Sequence, residues 1–460
     1  MTDMSAIEQL SPIAVMTDSI LHWNQIALDA VKTDFSTGDP LVDPSPEQGG
    51  PTRTSRALAI VHLAMYDAYV GITGGDTYLT YETGEDPGTG DVQAAQAAVS
   101  SAAYLTLTSL YSRQTETFLK EHESFVAMLP SDNPEIPEGL AWGTLVATKM
   151  LAERESDGSD APNSYTPSPE PGHHRVDPLN PAQGYLGPLW GNVKPFGIDD
   201  LNTKVAGLPQ PGLDTPDYAD SFNEVYHKGR SQGGTRTTEE TTIGLFWAYD
   251  GPRNIGVPPR LYNQVVQAIT KKNCTNEADN ARLFALVNVA MADAGIQAWH
   301  EKYECDVWRP VVGIREADAG WGPTGKGDNN PSTIGDPYWI PLGAPPTNQP
   351  AKVPSTPQFP AYPSGHATFG TAVFRITALA LGLPDTFEFT FVSDELDGLS
   401  VGATGVRARH ERVLTIGSAI EENILSRVYL GVHWQFDGRE GQRNGELIAS
   451  MINDAFPAKA

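Results

Sequence analysis

The sequence predicts an all-α, bundle-like fold decorated by long ordered loops. Three observations point there. Apolar residues recur three and four apart in segment after segment, strand signals are sparse, and the spacers between segments are long and rich in turn residues. In chain order, helical spacing covers 53–69 (RTSRALAIVHLAMYDAY), 94–112, 138–153, 258–270, 276–304, 364–381, 413–430 and 441–453. Gly382-Leu383-Pro384 closes one helix, and Pro310 follows another. The stretches 157–214 and 319–363 hold many of the 44 glycines and 37 prolines, and loops of that length, if ordered, wrap a molecule or serve its function. The first divides the chain into an N-terminal helical unit (1–156), a Pro/Gly-rich connection (157–235) and a C-terminal helical unit (236–460). Which helices pair is not legible from the pattern.

Composition excludes several functions. The chain has 460 residues, 31 Lys and Arg, 57 Asp and Glu, and a formal charge of −26. An acidic field of that size disfavours nucleic acid and anionic membrane surfaces, and no run of 18 apolar residues could span a bilayer. With 40% apolar residues, the chain can bury a core without disulfides. Any small anion must therefore bind in a local positive pocket against the global field. Met1–Gln9 lacks the basic and apolar regions of a secretory signal, so a cytoplasmic or non-classically exported protein is expected. Two cysteines rule out a disulfide framework. Cys274 reads as an exposed thiol between helices and a candidate for an intermolecular disulfide in a homo-oligomer.

Three motifs carry chemistry. Lys302 and Arg309, seven apart in KYECDVWRP, face the same way if the helix continues through both. Tyr362-Pro363-Ser364-Gly365-His366 sits at a loop-to-helix junction, where Ser364 is a natural N-cap and the open amide of Gly365 suits an anion. His366 there can move protons at neutral pH. In Ser426-Arg427-Val428-Tyr429-Leu430-Gly431-Val432-His433-Trp434-Gln435-Phe436-Asp437, Arg427 offers a planar donor fork, and Asp437 can orient the His433 ring. Together two Arg, one Lys, a hydroxyl and helix-start amides suit an oxyanion of two or more charges.

The order K-x6-R-P, P-S-G-H, S-R-x5-H-x3-D resembles the signature of the vanadium-dependent haloperoxidases and the type 2 phosphatidic-acid-phosphatase family. The segments 244–251, 281–287 and 359–370, and the stretch from Ser55 to Tyr69, are similar to the fungal vanadium chloroperoxidases, with likeness spread from about residue 20 to 440. The resemblance implies two four-helix bundles with vanadate in the C-terminal one. It implies that His433 binds the metal and that Lys302, Arg309, Ser364, Gly365 and Arg427 hydrogen-bond the oxyanion. His366 and Lys302 would act in catalysis, His366 as acid and base, Lys302 by drawing electron density from bound peroxide. Asp250 would brace Arg427, while Trp299 and Phe359 would line the halide side. Phe359 stands where algal bromoperoxidases place a His, a feature shared with chloride-oxidising enzymes. The implied reaction uses hydrogen peroxide to oxidise bromide, iodide and plausibly chloride to hypohalous acid, which halogenates a small organic acceptor.

Phosphate and vanadate are both tetrahedral, so the rival is an acid phosphatase with a phosphohistidine at His433. A non-catalytic oxyanion-binding protein would have no need of His366. Other histidines carry less. His173 and His174 read as a solvated loop, His62 as a satisfied core residue, His300 as cleft lining or packing, and His410 as part of a local basic cluster.

Overall fold

Short polar side chains and prolines set most helix starts. The computed structural model describes residues 18–36, 45–82, 85–349 and 352–456; Met1–Gln9 lies outside them. The first helices are α1 (Ser19–Asp34), α2 (Gly50–Thr73), α3 (Val92–Leu110), α4 (Thr115–Met128) and α5 (Ile136–Glu153). Next come α6 (Leu201–Lys204), α7 (Pro216–Lys228), α8 (Thr238–Phe246), α9 (Pro258–Asn273), α10 (Glu277–Cys305) and α11 (Pro310–Glu316). The last are α12 (Gly365–Leu381), α13 (Ile416–Tyr429) and α14 (Gln435–Ala455). Asp18, Asp91, Thr215, Thr237, Asn276, Ser364 and Thr415 each accept a backbone N–H of the first turn, satisfying donors that the helix leaves open. Gly382, in the left-handed region at φ 63°, ends α12 where the Gly-Leu-Pro signal places the stop.

Each of the eight expected segments contains a helix, with one correction. Val413 and Leu414 are not helical: β4 (Glu411–Thr415) pairs antiparallel with β1 (Glu388–Val392), and Thr415 then caps α13. Cross-strand pairing of a β-branched stretch outweighs its apparent helical spacing. A second small ribbon joins β2 (Val401–Gly402) to β3 (Gly405–Val406). Unforeseen helices are mostly short or polar; α4 buries only Phe118 and Phe125. No helix of the described residues is long and apolar enough to cross a membrane.

Helices α2, α3 and α5 pack on one another, as do α12, α13 and α14, and α10 lies against both α2 and α12. One apolar core runs from Ile20 to Phe456. The segment between α5 and α7 is laid along α10 by hydrogen bonds. Asp293 accepts the amides of Phe196, Gly197 and Ile198 at 2.6–3.0 Å, and the Leu186 carbonyl accepts from Trp299 and Tyr303. Cys274 is exposed at the end of α9, Cys305 is half-buried, and both are free thiols. Nothing supports pairing Cys274 across two chains.

Two features place the site. Gly441 and Gly445, one turn apart on α14, let it approach α12 closely; a Cβ on Gly445 would meet the Thr368 carbonyl at 2.7 Å. A buried polar ladder fixes how α1, α2, α9 and α10 meet. Asn24 Nδ2 donates to His62 Nε2 (2.8 Å) and to Asn263 Oδ1 (3.2 Å), and Asn263 Nδ2 donates to Asn288 Oδ1 (2.9 Å). His62 Nδ1 donates to the Leu58 carbonyl at 2.7 Å, so the ring is neutral and satisfied, as a core histidine should be.

Gly445→Ala is expected to cost about 1–3 kcal/mol, because the obstacle is backbone and cannot rotate away; the denaturant midpoint measures this. Burial lowers the His62 pKa to about 4. The unfolded chain therefore takes up a proton there near pH 6.5 and the folded chain only near 4. The contribution is complete above about pH 6.5 and is lost as pH falls towards 4, on the order of 3 kcal/mol. His62→Gln should flatten this part of the pH dependence of the urea midpoint; an unchanged slope would contradict the assignment.

Candidate functional site

The three motifs meet because the chain turns, not because one helix continues. α10 ends at Cys305, Asp306 adopts the left-handed conformation (φ 54°), and Arg309 becomes the residue before α11. The expectation that Lys302 and Arg309 share a helical face is thus corrected; the turn brings their side chains together. Hydrogen bonds from a cysteine-free loop hold that turn. His174 N donates to the Asp306 carbonyl (2.8 Å), His173 Nδ1 to Asp306 Oδ2 (2.8 Å), Trp308 N to Gly172 O (2.9 Å), and the Tyr165 hydroxyl to Asp306. The solvated-loop reading fails for His174, which is fully buried beside Tyr165 and Tyr185 because this loop folds back on the end of α10. Asp306 and Tyr165 carry no sequence signal, since neither belongs to a recognisable spacing.

Lys302 is completely buried and donates to the carbonyls of Pro360 and Ala361 at 3.0 Å and to that of Pro363. The first motif thereby grips the second. Arg309, equally buried, donates through Nε to Phe359 O (2.9 Å), through NH1 to Val432 O (2.9 Å) and His433 Nε2 (2.9 Å), and through NH2 to Pro360 O (3.3 Å). It ties the first motif to the second and third. Ser364 N donates to the Asp437 carbonyl at 2.8 Å and closes the triangle. Ser364 caps α12, its Oγ 3.4 Å from the Ala367 amide. Gly365 follows, where a Cβ would come within 3.1 Å of the Trp299 ring.

Arg427, in the last turn of α13, forms a two-pronged pair with Asp250 at 2.7 and 3.0 Å. Its Nε is buried without a partner. His433 Nδ1 lies 2.8 Å from Asp437 Oδ2, which also accepts the Trp434 amide at 2.9 Å. Arg309 can only donate, so Nε2 of His433 carries the lone pair and Nδ1 the proton. His366 Nε2 lies 2.7 Å from the Ala248 carbonyl and must donate to it, leaving Nδ1 as acceptor. No sequence signal marked Ala248, since a carbonyl has no residue identity.

Electrostatics follow from burial. Desolvation, then Arg309, hold Lys302 far below the usual amine range, and desolvation brings Arg309 down to about 9. Burial, then the positive field of Arg309, Lys302 and Arg427, keeps His433 neutral. Desolvation and Arg427 lower His366 to about 3. Burial raises Asp437 to about 7, with Lys302 opposing. Three buried cations with one carboxylate in direct contact need an anion. The open Arg427 Nε, the bare Gly365 and a neutral His433 whose Nε2 lone pair faces the cations and accepts from Arg309 fit a tetrahedral oxyanion bearing a metal.

A cavity of about 550 Å³ reaches His433, His366 and Gly365. Trp299 and Phe359 line it, ring centres 4.6 Å apart, and the Arg309 guanidinium sits 5.0 Å from the Phe359 ring. His300 lies outside the cavity lining and packs on Gly191. In the basic cluster around His410, Arg407 and Arg409 pair with Glu395 and Glu411, and none of the three lines the cavity.

Residues 11–184 match the vanadium chloroperoxidase N-terminal domain, and residues 282–457 match the VCPO second helical-bundle domain. Vanadium chloroperoxidase of Curvularia inaequalis is 33% identical over 521 residues, spanning 96% of this chain and 82% of its own. Two solved structures share the fold at low identity. A bacterial vanadium-dependent iodoperoxidase superposes with a TM-score of 0.72 at 19% identity, covering 97% of this chain and 98% of that one. A holo-type bacterial vanadium-dependent chloroperoxidase gives 0.64 at 17% identity, covering 91% and 95%. With a relative one-third identical along nearly its whole length, this chain belongs to the vanadium haloperoxidase family.

Proposed function

We propose that this haloperoxidase uses hydrogen peroxide to oxidise bromide and iodide, with chloride as a further substrate, and that the pocket around His433 holds the vanadate. The observation that carries the reading is the convergence of buried Lys302, Arg309 and Arg427 on a neutral His433 held by Asp437. His433 would ligate the metal through Nε2, while Lys302, Arg309, Ser364, the Gly365 amide and Arg427 would hold the oxygens. Bound vanadate supplies Lewis acidity toward peroxide without changing its own oxidation state.

The protein's part is orientation, charge and proton transfer. Asp250 keeps the Arg427 fork rigid, and Asp437 fixes the His433 tautomer through Nδ1. His366, neutral through burial, offers Nδ1 to an arriving proton. Lys302, wrapped by carbonyls rather than carboxylates and held far below the usual amine range by burial and Arg309, would gain its charge by pairing with the bound oxyanion. Trp299 and Phe359 form an apolar halide wall without an ionisable group, and this wall supports chloride within the substrate range.

Adding orthovanadate to the metal-free protein should confer halide-dependent dye halogenation with peroxide, tested on chloride, bromide and iodide side by side. Phosphate should compete with vanadate; p-nitrophenyl phosphate turnover exceeding halogenation would favour the phosphatase chemistry instead. His433→Ala should abolish vanadium retention, read by metal analysis after gel filtration. His366→Ala should retain the metal and lose roughly 10²–10⁴-fold in peroxide turnover; full activity in that variant would remove His366 from proton transfer.

A further inference from the structure

We propose that the cavity above the site is a binding site for the organic acceptor, and that it selects a neutral phenol of one or two fused rings, halogenated before hypohalous acid escapes. The inference rests on the haloperoxidase reading above. A halide and a peroxide molecule need only a few water-sized volumes, on the order of 30 Å³ each. The cavity measures about 550 Å³, the size of sites that enclose organic ligands.

Its chemistry narrows the ligand. Beyond Trp299 and Phe359 the walls include Phe35, Leu186, Val257 and Pro258, apolar surfaces that suit a flat ring. Asn180 gives one amide N–H to Asp177 (3.2 Å), and its side-chain carbonyl oxygen remains to accept from a ligand hydroxyl. Among the described lining residues Lys352 is the one basic side chain apart from the histidines, and the single carboxylate, Asp250, is taken by Arg427. A cationic acceptor would find no free carboxylate and an anionic one only the solvent-exposed Lys352 amine, whereas a neutral phenol satisfies walls and amide together.

The chemistry balances with the reagents of the proposed reaction. Bromide gives two electrons to the O–O bond of hydrogen peroxide, and with one proton the products are hypobromous acid and water. The O–Br bond then breaks as a ring carbon takes the bromine, and the displaced ring proton joins the hydroxide as water. Retention in the cavity makes the ring, not bulk solvent, the first partner of the oxidised halide.

Val353 tests this, because it lines the cavity yet is 58% exposed, so a larger side chain there does not disturb the core. Calorimetric titration of 1-naphthol into metal-free protein should show saturable binding, weakened at least tenfold by Val353→Trp. In the vanadate-loaded enzyme with bromide, the ratio of C2 to C4 bromination should differ from that given by added hypobromous acid. Oxygen release from peroxide and bromide without naphthol should stay unchanged in Val353→Trp. Non-saturable naphthol binding, or an isomer ratio equal to that of free hypobromous acid, would overturn the acceptor site. Failure of the haloperoxidase reading itself would show separately, as no bromide-dependent oxygen release from the vanadate-loaded wild type.

Discussion

Burying three cations in one pocket is the constraint on which the rest of this structure depends. Lys302, Arg309 and Arg427 are all essentially inaccessible to water, and among the described residues Asp250 is the one carboxylate at contact distance from any of them. Such a cluster is tolerable only if carbonyl dipoles solvate it and an anion completes it. The chain supplies the dipoles from the segment 359–363 and from Val432, so the same hydrogen bonds that solvate the charges also lock the motifs together.

That arrangement makes structure and chemistry inseparable. The neutral state of His433 follows from the cations around it, and its tautomer follows from Asp437. His366 is likewise neutral because it is buried near Arg427, and its donor nitrogen is committed to a carbonyl. A buried, positively charged pocket that presents neutral imidazoles suits a metal oxyanion better than it suits a free metal cation. The acidic exterior is compatible with this, since the local pocket and not the net charge of −26 decides what binds.

Two long loops, the least regular parts of the chain, perform much of the assembly. The first lays the Leu186 carbonyl over Trp299 and Tyr303 and clamps Asp306, and the second wraps Lys302 and ends at the cap of α12. Their Gly and Pro content gives tight turns and backbone carbonyls free of helical partners. Glycines on α14 then bring its first turn, with Asp437, against the start of α12.

The helical class, most helix locations, the cap at Ser364, the stop at Gly382 and the residue types of the pocket are legible in the amino-acid pattern alone. Those features are local: periodicity, capping and spacing act within a turn or two of the chain. The pattern misleads at 413–415, where a strand partner more than twenty residues away decides the conformation, and at His174, whose burial depends on a loop folding back over α10. The convergence of Lys302 and Arg309 was also decided only in three dimensions, by the left-handed Asp306 and the carbonyls of 360–363. Backbone carbonyls such as that of Ala248 carry no side-chain identity, so it takes the three-dimensional fold to reveal that one of them sets the tautomer of His366.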